Sequence, residues 1–505
     1  MNMDNVKYGI EVDDRLISSA VNLKEKCTST MINGALIISF SLSNNIIEIS
    51  IKNNSAAAVA LKNLRLELFS ARYYKESFCV MNPQKSSEKI TYLPMGKVNE
   101  NEKVQSHLFE IFVEEEKNSS KIFGFLGCGV SRNFIENSVK NNELKITAVY
   151  NFINQVLKPE EELVLDSMYI REGQNTFSLF NSFLDKMLVG FRIKEDYNKK
   201  IVLRKSNVYS ILFTYKVNSG TLQINGKPAH IKVDGKKLYA ADISKPEGRK
   251  KVFVNANAVL SRANALNLNN VGEYMSLIQN NKLFNVNYEL SKLLNSIKAE
   301  FQGIRFFSDD YPLGLISENI IVDNKEFAFE DKKSLLSHLS KRKDSHHINY
   351  DFFIKLLMQR LLTYHNESFT INSKKIRELM SVVLGGLNIN SLRSSELMEM
   401  MEDIDTGQGI IPFLEKKKAF ALLITGRKYM YLAVFNVGSE AVKFYCDLSV
   451  YSGYRELDGV ATEVYSNTNY LISDGKLYIR NLPSLDCCLF KKTIECQVPQ
   501  MVGVQ

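Results

Sequence analysis

Side chains able to act as acids, bases or nucleophiles are thinly spread through the middle of the chain, and their spacing limits what they could do together. Asp309 and Asp310 adjoin in FFSDDYP. Neighbouring side chains on an extended strand point apart, so this pair is poorly suited to share one substrate, and Pro312 marks the stretch as a turn. Asp242, in AADIS, follows a short strand-like run. It could face a ligand, or Ser244 could cap a following helix. His346 and His347 lack an acidic partner at ligand spacing, so a solvated loop is the simpler reading and no metal is expected. His365 ends a long apolar helical run, where a cation suits the negative end of the helix dipole. Gly124, Gly127 and Gly129 in GFLGCGVS superficially suggest a phosphate loop. They sit among strand-like runs with no clear helix behind them, which argues against a nucleotide site. GxSxG, HExxH and Walker patterns are missing, and no cofactor is expected.

The elements that must position these residues fall into three blocks along 505 residues, a length suited to about three domains. Residues 1–172 read as strands: Ala35–Leu42 is a strand-length apolar run, and Ile46–Lys52 and Leu61–Phe69 alternate with period two. Such runs between Asn, Ser, Gly and Pro predict a sandwich of antiparallel sheets. Around Asn175 the period changes, and Thr176–Leu188 has the apolar spacing of a helix. Residues 173–408 then alternate strands (Tyr209–Phe213, Leu238–Ala241, Gly303–Phe307, Asn319–Val322) with helices (Arg249–Leu260, Asn285–Ala299, Tyr350–His365, Lys374–Leu384, Ser394–Met401), an α/β layer or barrel. Residues 409–495 return to β-structure. There Tyr429–Asn436 and Val442–Leu448 flank Val437-Gly438-Ser439-Glu440 and predict a hairpin. Residues 496–505 form a tail. The expected class is thus multidomain α+β.

Composition narrows the partners. Net charge is +8 from 64 basic and 56 acidic residues, and basic runs such as Lys341-Arg342-Lys343 are no longer than three residues, so nucleic acid is not an expected partner. The seven cysteines are odd in number and form no CxxC pair, which fits a reducing compartment. The sequence shows neither a secretory signal at its beginning nor an apolar run long enough for a membrane span, and a cytoplasmic location is expected. Tryptophan is absent, so any sugar site would rely on the 23 tyrosines and 29 phenylalanines for apolar platforms.

Four stretches in this order resemble the family 36 glycoside hydrolases, the bacterial α-galactosidases (melibiases). Glu161–Leu188 is similar to the segment leading from the family's N-terminal β-supersandwich into its (β/α)₈ barrel. INGKPAHIKVDGKKLYAADISKPE, residues 224–247, resembles the barrel segment "NG-x-P … LD-x-(S/T)-x-P-E". MSVVLGGLNINSLRSSELMEMMEDID resembles the late barrel, and YLAVFN…FYCDL…LPSLDCCLF the C-terminal sandwich. The resemblance implies an N-terminal β-supersandwich, a central incomplete or degenerate barrel and a C-terminal antiparallel β-sandwich. A galactoside or oligosaccharide would be the ligand.

The resemblance also locates the chemistry. Retaining glycosidases need two carboxyl groups about 5–5.5 Å apart. The family's nucleophile lies in a strand-end "K-x-D", and the matching stretch here is NALNLNN, with Asn267 and Asn269 at the Lys and Asp positions. An amide is neutral, and its nitrogen donates, so it replaces a carboxylate nucleophile poorly. The acid, in "R-x-G-x-D", is matched by NIIVDN: Asp323 if one residue is skipped, Asn324 if none is. HNESFTINSK, residues 365–374, matches "H-x-x-x-W-x-N-D-P-D", keeping His365 and Asn372 as substrate-contact candidates alongside Asp242, Asp309 and Asp310. The Trp position is Thr370. The family's early barrel spans on the order of a hundred residues, whereas only some thirty lie between Phe191 and Thr221. Open parallel edges would need covering by a homo-oligomer, a paralogous subunit or a rearranged strand. The expectation is an impaired or inactive enzyme with a carbohydrate-binding or assembly role. The alternative is an active retaining α-galactosidase whose nucleophile is relocated to Asp309 or Glu318.

Overall fold

The structure is a computed structural model that describes residues 6–23, 27–32, 34–82, 90–114, 117, 119–127, 129–173, 176–190, 211–260, 265–268, 270–302, 304–308, 320–322, 373–384, 394–403, 410–416, 419–426, 428–447 and 458–493. Two compact units emerge: Met1–Leu179 with Lys186–Phe327, and Phe180–Asp185 with Ala328–Gln505.

The first unit begins with two antiparallel sheets. One has six strands in the spatial order Arg15–Val21, Val6–Val12, Val59–Ala71, Glu143–Leu157, Arg132–Lys140 and Lys103–His107. The other follows the path Cys27–Ile32, Leu36–Ser43, Ile46–Asn53, Met168–Gly173, Ser119–Phe125, Phe109–Glu114, Phe78–Met81 and Thr91–Pro94, with Glu162–Val164 also pairing Ile46–Asn53 as its ninth strand. Alternating burial along Val6–Val12 and Ile46–Asn53 puts one face of each strand inward. Aromatic rings join the two inner faces: Tyr8 meets Phe40 at 5.1 Å, Phe69 meets Phe112 at 5.1 Å, and Tyr150 stands edge-on to Phe125 at 5.3 Å. Strand length and alternation are local signals, and the strands expected from period-two runs stand where the sequence puts them.

Beyond the sandwich the first unit is mixed. Two hairpins turn on Asn-Gly and Asp-Gly: Gln223–Ile224 with Lys227–Pro228, and His230–Val233 with Lys236–Ala240. Both turn residues of each have positive φ, between 47° and 76°, the geometry of two-residue turns that match strand twist. Phe213–Thr214 pairs with Lys236–Ala240. Helices follow at Pro246–Leu260, Val271–Asn280 and Val286–Glu300. The parallel strands among the described residues are three: Ala265–Asn267, Arg305–Ser308 and Ile320–Val322. No closed barrel is formed among the described residues, so the antiparallel sheets dominate the fold. The expected helix Tyr350–His365 lies outside the described residues.

The second unit contains helices Lys374–Leu384 and Ser395–Asp403 and another β-structure. A six-stranded sheet runs Ile410–Lys416, Ala419–Thr425, Tyr429–Asn436, Asp486–Thr493, Gly459–Glu463 and Thr468–Ile472, and Val442–Asp447 pairs with Lys476–Leu482. Leu432, Val434, Phe444, Leu477, Ile479 and Phe490 share its core. The expected hairpin across 437–440 is incorrect. Tyr429–Asn436 pairs with Ala419–Thr425 and Asp486–Thr493, while Val442–Asp447 belongs to the two-stranded sheet. Asn436 redirects the chain. Its amide donates to the carbonyls of Glu440, Leu482 and Pro483 at 2.8–3.1 Å, and its side-chain oxygen accepts from the amide of Gly438 at 2.9 Å. The flanking strand is buried on both faces, which suits an interior strand better than a hairpin arm.

Candidate functional site

Asp242 is the sequence-derived site residue that the described structure contains. It follows the strand Lys236–Ala240, and its amide donates to Gly220 O at 2.8 Å. Its carboxylate accepts from Ser244 Oγ at 2.5 Å and pairs with Lys245 Nζ at 3.0 Å, and only 6% of its side chain is exposed. Both oxygens are thus engaged within its own turn. A Cβ on Gly248 would lie 1.9 Å from Asp242 O, so only glycine lets the first helical turn pass so close. Pro246 begins the helix without forfeiting a bonded N–H, and Glu247 favours its positive end. Ser244 spends its hydroxyl on Asp242 and does not act as the expected cap.

A second layer fixes that turn. Arg249 donates to Ile243 O at 2.7 Å and to Glu289 Oε2 at 2.6 Å, tying the helix Pro246–Leu260 to Val286–Glu300. Burial raises the Glu289 carboxyl above the usual range, against the lowering effect of Arg249. Tyr274, fully buried, donates to Ala241 O at 2.7 Å. Burial pushes its phenol well above the usual range, so the hydroxyl stays a donor. Asp242 therefore reads as an organiser of the strand-to-helix turn.

The parallel sheet gives the geometry of the remaining candidates. Registers Ala265↔Arg305 and Phe306↔Ile320 bring the carboxyl ends of three strands to one edge, the edge where α/β folds hold ligands. The chain leaves that edge after Asn267, Ser308 and Val322. Asn269, Asp309 and Asp310, and Asp323 come immediately afterwards in sequence, and all four lie outside the described residues, as do His365 and Asn372. Leu268, before Asn269, is fully buried, and Asn270 behind it adopts the left-handed region at φ 60°.

Sequence reasoning missed a carboxylate that does organise a loop. Asp166 accepts from the amides of Gly129 and Val130 at 2.9 and 3.1 Å and from Asn133 Nδ2 at 3.0 Å. The glycine-rich stretch is an anion nest after all, and its anion is this side chain. A Cβ at Gly127 would sit 2.9 Å from Asp166 Oδ1. The nest also anchors the helical region: Asn285 donates to Val130 O at 2.7 Å while its own oxygen accepts from Tyr288 N, capping Val286–Glu300. The available signal was glycine spacing without a following helix. What it lacked was the partner, 37 residues away along the chain.

Among the described residues, no group of three or more His, Cys, Asp or Glu could hold a metal ion, and no helix is long and apolar enough to cross a membrane.

No family model matches the sequence, and no curated protein matches it. Solved structures do resemble it. A variant of the GH36 α-galactosidase AgaA of Geobacillus stearothermophilus, in complex with raffinose, superposes with a TM-score of 0.60 at 11% identity, covering 96% of this chain and 89% of that one. The galactosidase domain of the α-galactosidase–sucrose kinase AgaSK gives 0.60 at 12% identity, covering 95% and 82%. The α-galactosidase of Lactobacillus brevis gives 0.57 at 9%, covering 98% and 82%. The chain therefore has the fold of the GH36 α-galactosidases over nearly its whole length, at an identity where fold is what the likeness establishes.

Proposed function

We propose that this chain is a divergent descendant of the family 36 α-galactosidases that has lost two-carboxylate hydrolysis and retains carbohydrate binding. In this reading residues 1–172 are the N-terminal sandwich, 173–408 a degenerate barrel and 409–495 the C-terminal sandwich, working in the cytoplasm. A galactoside or oligosaccharide binds at the carboxyl edge of the parallel strands. Asp323 occupies the acid/base position, and Asn269 stands where the nucleophile was. Asp309, Asp310, His365 and Asn372 are the remaining contact candidates, with a second subunit covering the shortened barrel edge.

One observation carries the proposal. The strand Ala265–Asn267 belongs to the parallel sheet, and residues 261–272, which run through its carboxyl end, contain no Asp or Glu. A retaining mechanism needs an ionised oxygen to attack the anomeric carbon while a second carboxyl protonates the leaving oxygen. Amides at 267, 269 and 270 supply hydrogen bonds to a sugar but no such nucleophile.

The test is hydrolysis of an aryl α-galactoside by the full chain and by Asn269→Asp, together with calorimetric titration of raffinose. The expected result is raffinose binding without turnover in the unmodified protein. Turnover of ~1–10³ s⁻¹, lost in Asp309→Asn or Glu318→Gln, would establish the relocated-nucleophile enzyme instead.

A further inference from the structure

The N-terminal sandwich carries an open cleft of about 580 Å³, lined by residues 72–77 together with Glu114, Lys117 and Asn142. Its volume is in the range of small-ligand sites. Three features of its lining are specific.

First, Tyr73 is 91% exposed, an unusual position for a large amphipathic residue. Second, Glu114 is held as a fixed anion. Its side chain is 9% exposed, and its two oxygens accept from Lys117 Nζ at 2.7 Å and Lys121 Nζ at 2.8 Å. Burial works against the charge, but the two ammonium groups outweigh it, and the carboxyl sits below its usual range. A carboxylate has about four lone-pair positions; two are taken, and the others remain for donors in the cleft. Third, Arg72 and Lys75 line the same cleft, and among the described residues neither makes a hydrogen bond or an ion pair. Asn142, in a tight turn at φ 57°, adds an amide.

We propose that this cleft is a saccharide-binding site, separate from the parallel strand ends, in which Tyr73 stacks on the apolar face of a pyranose. Glu114 and Asn142 bond its hydroxyl groups, and Arg72 and Lys75 favour sugars that carry an acidic group. A flat aromatic face beside a preset acceptor and several donors suits a ring with one C–H face and a polar rim. The lining holds three cations, Arg72, Lys75 and Lys117, against two carboxylates, Glu76 and Glu114, and the surplus of one favours the acidic class. The inference rests on the sugar-binding reading above for its ligand class, and not for its location.

The experiment is calorimetric titration of the full chain with digalacturonate, raffinose and inorganic phosphate, repeated for Tyr73→Ala, Tyr73→Phe and Asp323→Ala. Tyr73 is so exposed that its replacement leaves the fold intact. The proposal expects digalacturonate to bind, and expects raffinose binding at the strand ends to be insensitive to Tyr73→Ala. Tyr73→Ala should weaken digalacturonate binding about 2- to 12-fold, the range of an aromatic stacking contact, while Tyr73→Phe and Asp323→Ala leave it unchanged. Digalacturonate binding that falls in Asp323→Ala and not in Tyr73→Ala would overturn this site and leave the proposed function standing. Phosphate binding as tightly as digalacturonate, indifferent to Tyr73→Ala, would overturn it in favour of a bare cationic patch. No saccharide binding at all would overturn both readings.

Discussion

Glu110 gives the sharpest quantitative expectation. It lies in the strand Phe109–Glu114, faces the opposite sheet and is fully buried. Asn137 Nδ2 donates to its Oε2 at 2.6 Å from the six-stranded sheet, and Cys79 Sγ approaches its Oε1 at 3.2 Å from the neighbouring strand. Neither partner is a cation, and Lys121, on the adjacent strand, is engaged by Glu114 and Glu172. Burial raises the carboxyl from 4.5 to about 7, against the smaller opposing effects of Cys79 and Asn137. Below pH 4.5 the group is protonated in folded and unfolded chains alike. Between 4.5 and about 7 the unfolded chain releases its proton and the folded one keeps it, so stability falls as pH rises. Above about 7 both are ionised and the dependence levels off. At about 1.4 kcal/mol per pH unit, the loss over that interval is about 3 kcal/mol. Glu110→Gln removes the titration and keeps the shape. Variant and wild type should have similar stability at pH 4.5, and the variant should be more stable by about 2–3 kcal/mol at pH 8. The chain has no tryptophan, so the assay is urea unfolding followed by circular dichroism, with hydrogen exchange at the Ile111 amide reporting on the sandwich. An equal offset between the two proteins at both pH values would refute a protonated, cation-free Glu110.

Three further outcomes follow from the same reading of buried polar groups. Asp166→Asn replaces an oxygen that accepts backbone N–H with an amide nitrogen, and should cost about 1–3 kcal/mol, with faster exchange of the Gly129 and Val130 amides. Gly426→Ala would put a methyl 2.0 Å from Asp403 Oδ2. The turn must then open, and urea unfolding should show a loss of about 1–3 kcal/mol. Tyr274→Phe leaves Ala241 O without its donor and should cost about 0.5–1.5 kcal/mol by the same measurement.

What the sequence disclosed and what it hid divide by distance along the chain. Lys374–Leu384 was readable to the residue because helical periodicity is a property of consecutive positions. The runs at Ile46–Lys52 and Tyr429–Asn436 were equally visible as strands. Which strand pairs with which was not. A Gly-Ser turn between two apolar runs looks like a hairpin until Asn436 is seen to bond carbonyls 46 and 47 residues away. Glu110 was hidden for the same reason: in FEIFVE it reads as the solvent-facing member of an alternating strand, and only the facing sheet makes it buried. Of the site residues, Asp242 was correctly placed after a strand. Its side chain, expected either to meet a ligand or to leave capping to Ser244, instead bonds Ser244 and Lys245.

Asp166 and Asp403 show how motif-like residues can be set by the fold and not by a ligand. Each is an acid whose carboxylate accepts backbone N–H groups from a glycine-bearing turn: Gly129 and Val130 in one unit, Lys428 and Tyr429 in the other. In each, a Cβ on a nearby glycine, 127 or 426, would fall within 3 Å of the acid's oxygen. The turns are therefore held by an internal anion, and glycine is required there by the carboxylate and not by a phosphate. Asn225-Gly226 and Asp242-Ser244-Lys245-Pro246 follow the same logic, since each is accounted for by a turn with positive φ or a helix start. The stretches that carry the family resemblance thus include residues whose work is architectural. Residues of that kind keep a fold legible whatever its chemistry, because removing them costs stability whether or not a substrate binds. A nucleophile has no such protection. On the proposed reading, an Asp-to-Asn exchange after the strand Ala265–Asn267 would spare the backbone and abolish only the reaction, so that position is where divergence of function would surface first.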